Sequence, residues 1–145
     1  MSDYLVSESR AIPAAQQRLF DIVADPAMHP RLDGSGSVRA VLDGNPQRLA
    51  MGAKFGMDMK VGARYKITNT VVEFDEPNVI AWRHFNGHVW RYLFMPVEGA
   101  TLVTEQWDAR PAKNRFLLRL AGFPRRNRNG ILASFQRLEE LATSA

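Results

Sequence analysis

The sequence predicts an α+β fold in which an antiparallel sheet packs against one long C-terminal helix. Apolar and polar residues alternate between about residues 38 and 109, which is the pattern of strands with one buried face. Asn86-Gly87 separates two of these alternating runs and is a dipeptide typical of tight hairpins. After Pro124 the apolar spacing becomes helical. A chain of 145 residues has room for one core, so we expect a single domain over 1–145.

The first elements are predicted to be a strand over residues 3–12 and a short helix. Pro13 is expected at the first helical position, where its missing N–H is not needed. Asp25-Pro26 should end the helix, because the residue before a proline avoids helical geometry. The apolar stripe of this helix consists of Ala15, Leu19, Ile22 and Val23.

A turn-rich segment over 26–37, with room for one helical turn, precedes the sheet. Its GSGS sequence at 34–37 follows no clear strand and opens no clear helix, so we interpret it as a turn. Short turns separate the later strands, so consecutive strands should pair antiparallel. The clearest strands are predicted over 54–61, 65–74, 79–85, 88–97 and 101–109.

Two helices are predicted near the C-terminus. Residues 112–121 are expected to form a short helix, which Gly122-Phe123-Pro124 interrupts. The last helix follows Pro124, and about twenty residues of helix span about 30 Å, enough to cross a whole sheet. Its apolar stripe consists of Ile131, Phe135, Leu138 and Leu141.

The residue inventory excludes several classes of function. Without cysteine the chain has neither a disulfide nor a thiolate nucleophile. Its three histidines lack the spacing of a zinc motif and no glycine-rich phosphate loop occurs, so neither a metal nor a cofactor is predicted. The opening MSDYLVSESR has no basic segment followed by an apolar run, and no stretch is apolar enough to span a bilayer. A cytoplasmic location is therefore the expectation.

The net charge of +4 comes largely from one basic run without an acidic residue. The run consists of Arg110, Lys113, Arg115, Arg119, Arg125, Arg126 and Arg128. No aromatic residues alternate with these cations, so nucleic acid is not favoured. One interpretation is a solvated surface around a short helix. The other is peripheral contact with an anionic membrane, made through Arg115, Arg119, Arg125, Arg126 and Arg128. The oligomeric state is left open.

Several segments resemble the START-like superfamily, also called the SRPBCC or Bet v 1-like fold, and within it the bacterial polyketide cyclase/dehydrase and lipid-transport branch. The segments are SRAIPAAQQRLFDIVADP (9–26), TNTVVEFDEPNVIAWRH (68–84), HVWRYLF (88–94), GATLVTEQWD (99–108) and GFPRRN (122–127). The resemblance implies a helix-grip fold, a curved antiparallel sheet wrapped around the C-terminal helix with two short helices after the first strand. It also implies a cavity between sheet and helix. Because the superfamily contains cyclases, lipid and hormone carriers and ubiquinone-binding proteins, the fold does not fix the function.

Alternation along the strands predicts which side chains face the helix. On strand 79–85 the outward position of Arg83 places Trp82 and His84 on the inner face. The candidate ligand-binding residues selected in this way are Met57, Met59, Asn69, Trp82, His84, Trp90, Tyr92, Glu105 and Trp107, with Phe135 from the last helix. Apolar and aromatic residues with few polar groups are typical of a small-molecule cavity. The alternative is that the aromatic residues simply pack the core against Phe135 and Leu138.

Three inner-face residues are candidates for catalysis. His84 could act as a general acid or base, or be a core histidine bonded to Asn69 or Tyr92. Glu105, if inward, would have a pKa raised by desolvation and could abstract a proton next to a carbonyl. It could instead pair with an arginine, or face solvent if the register differs by one residue. Tyr92 completes the set, and Tyr92, His84 and Asn69 are also candidate polar anchors.

The leading functional prediction is a protein that binds a hydrophobic small molecule, such as a lipid, an isoprenoid or a polyketide-like compound. An enzyme of the polyketide cyclase/dehydrase type, using the same cavity, is the alternative. A third interpretation is an interaction module that docks through its basic run.

Overall fold

The computed structural model describes residues 4–34, 38–41, 44–61 and 63–144. It contains seven strands and four α-helices in this described part of the chain. The strands are β1 (Leu5–Ile12), β2 (Val38–Val41), β3 (Lys54–Val61), β4 (Ala63–Asp75), β5 (Val79–His84), β6 (Val89–Val97) and β7 (Ala100–Asp108). The helices are α1 (Gln16–Val23), α2 (His29–Leu32), α3 (Arg115–Leu120) and α4 (Phe123–Thr143), and a 3-10 turn over Pro26–Met28 precedes α2.

All seven strands belong to one antiparallel sheet with the order β1-β7-β6-β5-β4-β3-β2. Strands β3 to β7 follow one another as a meander, whereas β1, the first strand, pairs with β7, the last strand. Helix α4 packs against β1 and β7 and also contacts α1, α2 and α3. The predicted α+β helix-grip architecture is confirmed.

The core fills the space between α1, α4 and one half of the sheet. Leu19 and Phe20 of α1 are fully buried, and Phe20 contacts Phe74 and Phe94 edge to face, at centroid distances of 5.5 and 5.8 Å. Phe135 of α4 is also buried in this cluster. Aromatic rings therefore fill the space next to this half of the sheet face, and they do not cover the other half of the same face.

Three boundaries differ from the predictions. Pro13 is not the first helical residue, because the chain turns after β1 and α1 begins only at Gln16, with the extended Ala15 as its cap. The short helix predicted over 112–121 covers only Arg115–Leu120. The last helix begins at Phe123, one residue before Pro124, and follows Gly122 in the left-handed conformation at φ 81°. Of the GSGS sequence, residues 35–37 lie outside the described part of the chain, and Gly34 is in a turn.

Gly34 packs directly onto α4. Its backbone N–H donates to the Ser134 hydroxyl at 3.0 Å, and that hydroxyl donates to the Gly130 carbonyl at 2.9 Å. A Cβ at position 34 would lie 2.5 Å from the Ser134 backbone nitrogen, so only glycine fits this approach. The contact fixes the segment after α2 against the last helix.

None of the helices in the described ranges combines the length and the hydropathy needed to cross a bilayer.

Candidate ligand-binding cavity

A partly enclosed cavity of about 250 Å³ lies on the inner face of the sheet, under α2, α3 and α4. The sheet supplies aromatic, methionine and polar side chains, and α4 supplies Arg126, Asn127 and Ser134. Leu118 of α3 and Phe123 at the start of α4 cover another side. The cavity is thus bounded by the sheet face and the last helix, in the region that the fold predicts.

Strand alternation explains both the cavity and the core, because each strand contributes to both on the same face. On β5, Ile80 is fully buried in the core while Trp82, two residues on, lines the cavity. On β6, Phe94 packs with α1 while Tyr92 and Trp90 line the cavity. The half that is closed by Phe20 of α1 is therefore solid, and the half nearer the β5–β6 hairpin is hollow.

Register places the three tryptophans of the chain side by side. Trp82 is paired with Trp90 across β5 and β6, and Trp90 is paired with Trp107 across β6 and β7. Paired residues of antiparallel strands share a face, so all three indoles reach the cavity lining. This array gives the cavity a wide aromatic wall.

His29 extends this wall from α2. Its ring stacks on Trp82 at a centroid distance of 4.9 Å, and Phe55 contacts it edge-on at 5.4 Å. The ring Nε2 lies 2.8 Å from the carbonyl oxygen of Val23, so it carries the proton and donates. Burial lowers the pKa of His29, although the Val23 carbonyl opposes this shift. The ring is therefore a neutral aromatic surface at pH 7.

Glu105 is the most deeply buried ionisable group of the cavity, with 1% of its surface exposed. The indole N–H of Trp90 donates to Glu105 Oε2 at 2.8 Å. Oε1 has no hydrogen-bond partner among the described residues. Burial raises the pKa of the carboxyl to about 8, against an ordinary value of 4.5, although hydrogen bonds from Trp90 and Tyr92 oppose the shift. Glu105 therefore carries a proton at neutral pH.

Tyr92 lies opposite Glu105 in the β6–β7 register. Burial raises the pKa of its hydroxyl well above the ordinary value, and the adjacent carboxyl of Glu105 raises it further. Its ring also contacts Trp82, at a centroid distance of 5.9 Å. Tyr92 is thus a neutral hydroxyl beside a neutral carboxyl within an aromatic wall.

His84 and His88 stack at the hairpin end of the cavity, with ring centroids 4.3 Å apart. The Asn86 backbone N–H donates to His84 Nδ1 at 3.1 Å, so the neutral ring carries its proton on Nε2. Burial lowers the pKa of His84, and burial together with the neighbouring His84 lowers the pKa of His88 to about 3. The pair is therefore uncharged at pH 7. The hydrogen bond of His84 is thus made with Asn86 of the hairpin turn and not with Asn69 or Tyr92, although Asn69 is its register partner on β4.

The sequence pattern that defines the polyketide cyclase/dehydrase and lipid transport family matches residues 4–142, nearly the whole chain. The chain belongs to this family.

The chain is also similar to an uncharacterised mycobacterial protein in sequence and to two solved structures in fold. Uncharacterized protein Rv0088 of Mycobacterium tuberculosis is 38% identical over 141 residues, which cover 93% of this chain and 62% of that protein. The chain thus spans less than two thirds of this relative's length. Protein CV1439 of Chromobacterium violaceum has a similar fold, with a TM-score of 0.76, 16% identity and coverage of 97% and 99% of the two chains. Protein Ms6760 of Mycobacterium smegmatis gives a TM-score of 0.72 at 20% identity, with coverage of 97% and 92%.

In this member of the polyketide cyclase/dehydrase and lipid transport family, nine of the ten candidate residues line the cavity. They are Met57, Met59, Asn69, Trp82, His84, Trp90, Tyr92, Glu105 and Trp107. Phe135 is the exception: it is buried in the core and does not line the cavity. That any of them contacts a ligand stays a prediction.

Sequence reasoning missed the lining that comes from outside the central strands. His29, Leu32 and Asp33 reach the cavity from α2 and the residue after it. His29 stood beside prolines without a recognisable partner set, and no periodic signal marks a four-residue helix. His88 lies two residues before Trp90 and so shares its face by alternation, but it is not among the residues selected from the sequence. Among the described residues, no group of three or more histidine, aspartate or glutamate side chains could hold a metal.

The basic run is divided between several environments. Arg110 forms an ion pair with Asp108 at 2.8 Å, and Arg128 pairs with Glu8 at 3.0 Å. Arg126 lines the cavity and lies over the ring of Phe123. Two of the run's cations thus neutralise carboxylates of the sheet.

Helix α3 projects apolar side chains into solvent beside this basic run. The α3 apolar face consists of Phe116, Leu117 and Leu120, which are 57%, 64% and 68% exposed. Between them Leu118 turns inward to the cavity lining. The same short helix therefore has one side chain in the cavity lining and three apolar side chains exposed to solvent.

Proposed function

We propose that this domain binds a small, mainly apolar molecule in the cavity between the sheet and α4. The observation that carries the proposal is that α4 covers the tryptophan wall without packing onto it, so that wall and helix enclose about 250 Å³. Closing the sheet with core side chains would have stabilised the fold, as it does in the half occupied by Phe20 and Phe135. A hollow lined by three tryptophans and a tyrosine has the composition of a ligand site.

The volume limits the size of the enclosed part of the ligand. A cavity of ~150 Å³ accommodates benzene, so 250 Å³ corresponds to roughly ten non-hydrogen atoms. Two fused rings, or an equivalent length of isoprenoid or acyl chain, fill that space. A larger lipid or polyketide would extend through the open side.

Burial alone gives moderate affinity. A ligand that buries about 300 Å² of apolar surface gains on the order of 7 kcal/mol before its loss of entropy. Micromolar binding requires about 8 kcal/mol. A polar anchor in the cavity is therefore needed for tight and selective binding, and Tyr92, His84 and Asn69 line it together with Glu105.

Two-ring probes test the proposal. Tetralin and 1-tetralone, titrated into the protein, should change the fluorescence of the three tryptophans, all of which line the cavity. Ile67→Trp on β4 should fill the hollow and weaken binding about tenfold or more in calorimetry. Thr68→Trp, at the exposed next position of the same strand, is the matched control and should bind like wild type. Failure of the wild type to bind either probe, or equal binding by Ile67→Trp, would overturn the proposal.

The protonated Glu105 favours a second candidate function, an enzyme of the cyclase/dehydrase type. A buried carboxyl with a pKa of about 8 holds a proton that it can transfer near neutral pH, as a general acid requires. The neutral hydroxyl of Tyr92 beside it could bind the same reacting oxygen.

Turnover of a polyketide-like substrate distinguishes the two functions. Glu105→Gln removes the transferable proton while keeping the shape of the side chain, so it should abolish turnover but not binding. Tyr92→Phe and His84→Gln test the remaining candidates in the same assay. Unchanged turnover in all three variants would exclude these catalytic assignments.

A further inference from the structure

The turn between β5 and β6 packs against the segment that leads into α3. The side-chain amide of Asn86 in this turn donates to the side-chain oxygen of Asn114, the residue before α3, at 2.7 Å. Gly87 lies so close to the same segment that a Cβ there would be 3.0 Å from the carbonyl oxygen of Pro111. The hairpin turn and the start of α3 are therefore held next to each other.

Both elements expose large apolar side chains to solvent. Phe85, in the hairpin turn, is 74% exposed. The three residues of the α3 apolar face are spaced i, i+1 and i+4, so they project from one side of the helix. Grouped apolar side chains on a surface are typical of a site that contacts another molecule or a membrane.

Every charged residue of these two parts of the chain is a cation, because residues 77–97 and 109–138 contain neither aspartate nor glutamate. The exposed cations closest in sequence to the α3 apolar face are Lys113, Arg115, Arg119 and Arg125. Arg115 contacts the carbonyl of Arg110 and the ring of Tyr4, and neither group neutralises its charge. Long basic side chains lay their stems along apolar surface and keep their charged ends outward, so the surface combines apolar contact with positive charge.

This combination fits an anionic bilayer better than a protein partner. A second copy of the chain would bring two sets of cations together, which repel each other. Four apolar side chains are also far fewer than the roughly 20–30 residues per side of a stable protein interface. A bilayer with anionic lipids accepts phenylalanine and leucine side chains at its acyl boundary and lysine and arginine at its headgroups.

We propose that α3 and the β5–β6 turn dock on anionic phospholipid bilayers, with Phe85 and the α3 apolar face among the lipids and the neighbouring cations at the headgroups. The same two elements line the cavity, because His84 and Asn86 flank Phe85 and Leu118 lies within α3. The surface that contacts lipid is thus the outer side of one cavity wall. Docking goes beyond the proposed binding function and does not depend on it.

Site-specific labels test which surface meets the membrane, because the chain has no native cysteine. Leu117→Cys and Phe85→Cys, each carrying the polarity-sensitive fluorophore NBD, should shift their emission to the blue on vesicles of phosphatidylcholine mixed with phosphatidylglycerol. Met95→Cys is the matched control, because Met95 is 55% exposed near the other end of β6, and its label should not respond. An equal response at position 95, or no response at position 117 or at position 85, would overturn the proposal.

A single charge reversal tests the choice of lipid. Arg125→Glu, in the first turn of α4, should weaken cosedimentation with the anionic vesicles about fivefold or more, since one cation near an anionic surface contributes about that factor. Arg137→Glu makes the same change in net charge about 18 Å further along α4 and should weaken it less than about twofold. Equal losses in the two variants, or wild-type binding that is equally strong on phosphatidylcholine alone, would overturn the proposal. Self-association of the wild type without any vesicle binding would overturn it as well. Failure of tetralin to bind would instead overturn the proposed function and leave docking intact.

Discussion

Glu105→Gln should stabilise the protein, and the gain should grow with pH. In the folded protein the carboxyl keeps its proton up to about pH 8, whereas in the unfolded chain it releases the proton near its ordinary value of 4.5. The folded state thus binds more protons between these two values, so unfolding becomes easier as the pH rises through this window. The contribution of the group is fully present below pH 4.5 and is lost by about pH 8.

The size of the effect follows from the shift. Each pH unit within the window changes the free energy of unfolding by about 1.4 kcal/mol, so the whole window corresponds to about 5 kcal/mol and pH 7 to about 3 kcal/mol. Glutamine keeps the hydrogen bond from Trp90 and does not titrate. The two proteins should therefore be almost equally stable near pH 4.5 and diverge above it.

Urea unfolding of both proteins, at intervals from about pH 5 to about pH 8, measures this difference. Glu98→Gln, in the exposed turn between β6 and β7, controls for the loss of one carboxyl group and should change the free energy of unfolding by about 0.5 kcal/mol or less. A difference between wild type and Glu105→Gln that stays constant over this range would refute the reasoning, because it would mean that the buried carboxyl is already ionised in the folded protein.

Two further predictions concern the surface and the packing of α4. Replacing all three residues of the α3 apolar face by serine should abolish cosedimentation with vesicles containing anionic lipid, and wild-type binding should weaken between about 0.05 M and about 0.5 M salt. Met95→Ser is the control, because Met95 is an apolar residue of β6 that is 55% exposed. Salt-independent binding, or unchanged binding of the triple variant, would contradict this membrane contact. Gly34→Ala should lower the free energy of unfolding by about 1–3 kcal/mol in urea titrations, since its Cβ would overlap the backbone of α4 at Ser134; a loss below about 0.5 kcal/mol would show that the segment moves aside.

Alternation was sufficient to predict the inner face of the sheet, because a period of two fixes the face of every residue once one outward residue is known. The outward Arg83 thereby assigned Trp82, and alternation within the next two strands assigned Trp90 and Trp107. The observed register pairs Trp82 with Trp90 and Trp90 with Trp107. For Glu105 alternation left an inward, an arginine-paired and a solvent-facing position open, and the structure has the inward one, where burial raises the pKa. Whether these residues bind or transform a ligand was not accessible from periodicity.

Periodicity could not say how far along each strand the core ends and the cavity begins. Phe135 belongs to the apolar stripe of α4, yet it is buried in the core and does not line the cavity. The cavity half is covered instead by Ser134, Asn127 and the start of the helix, which a search for apolar residues passes over. The position of α1 on the sheet depends on tertiary packing, and no local sequence pattern indicates it.

The pairing of β1 with β7 has a consequence for how the molecule assembles. Leu5 and Asp108 are register partners although 102 residues lie between them, so a large part of the chain must fold back on itself before this ladder can form. Contacts of such long sequence separation slow folding, whereas the hairpins from β3 to β7 are local and can form early. Until β1 pairs with β7, the unpaired edge of β7 can pair with strands of other chains. The partly folded protein is most prone to aggregate at this stage.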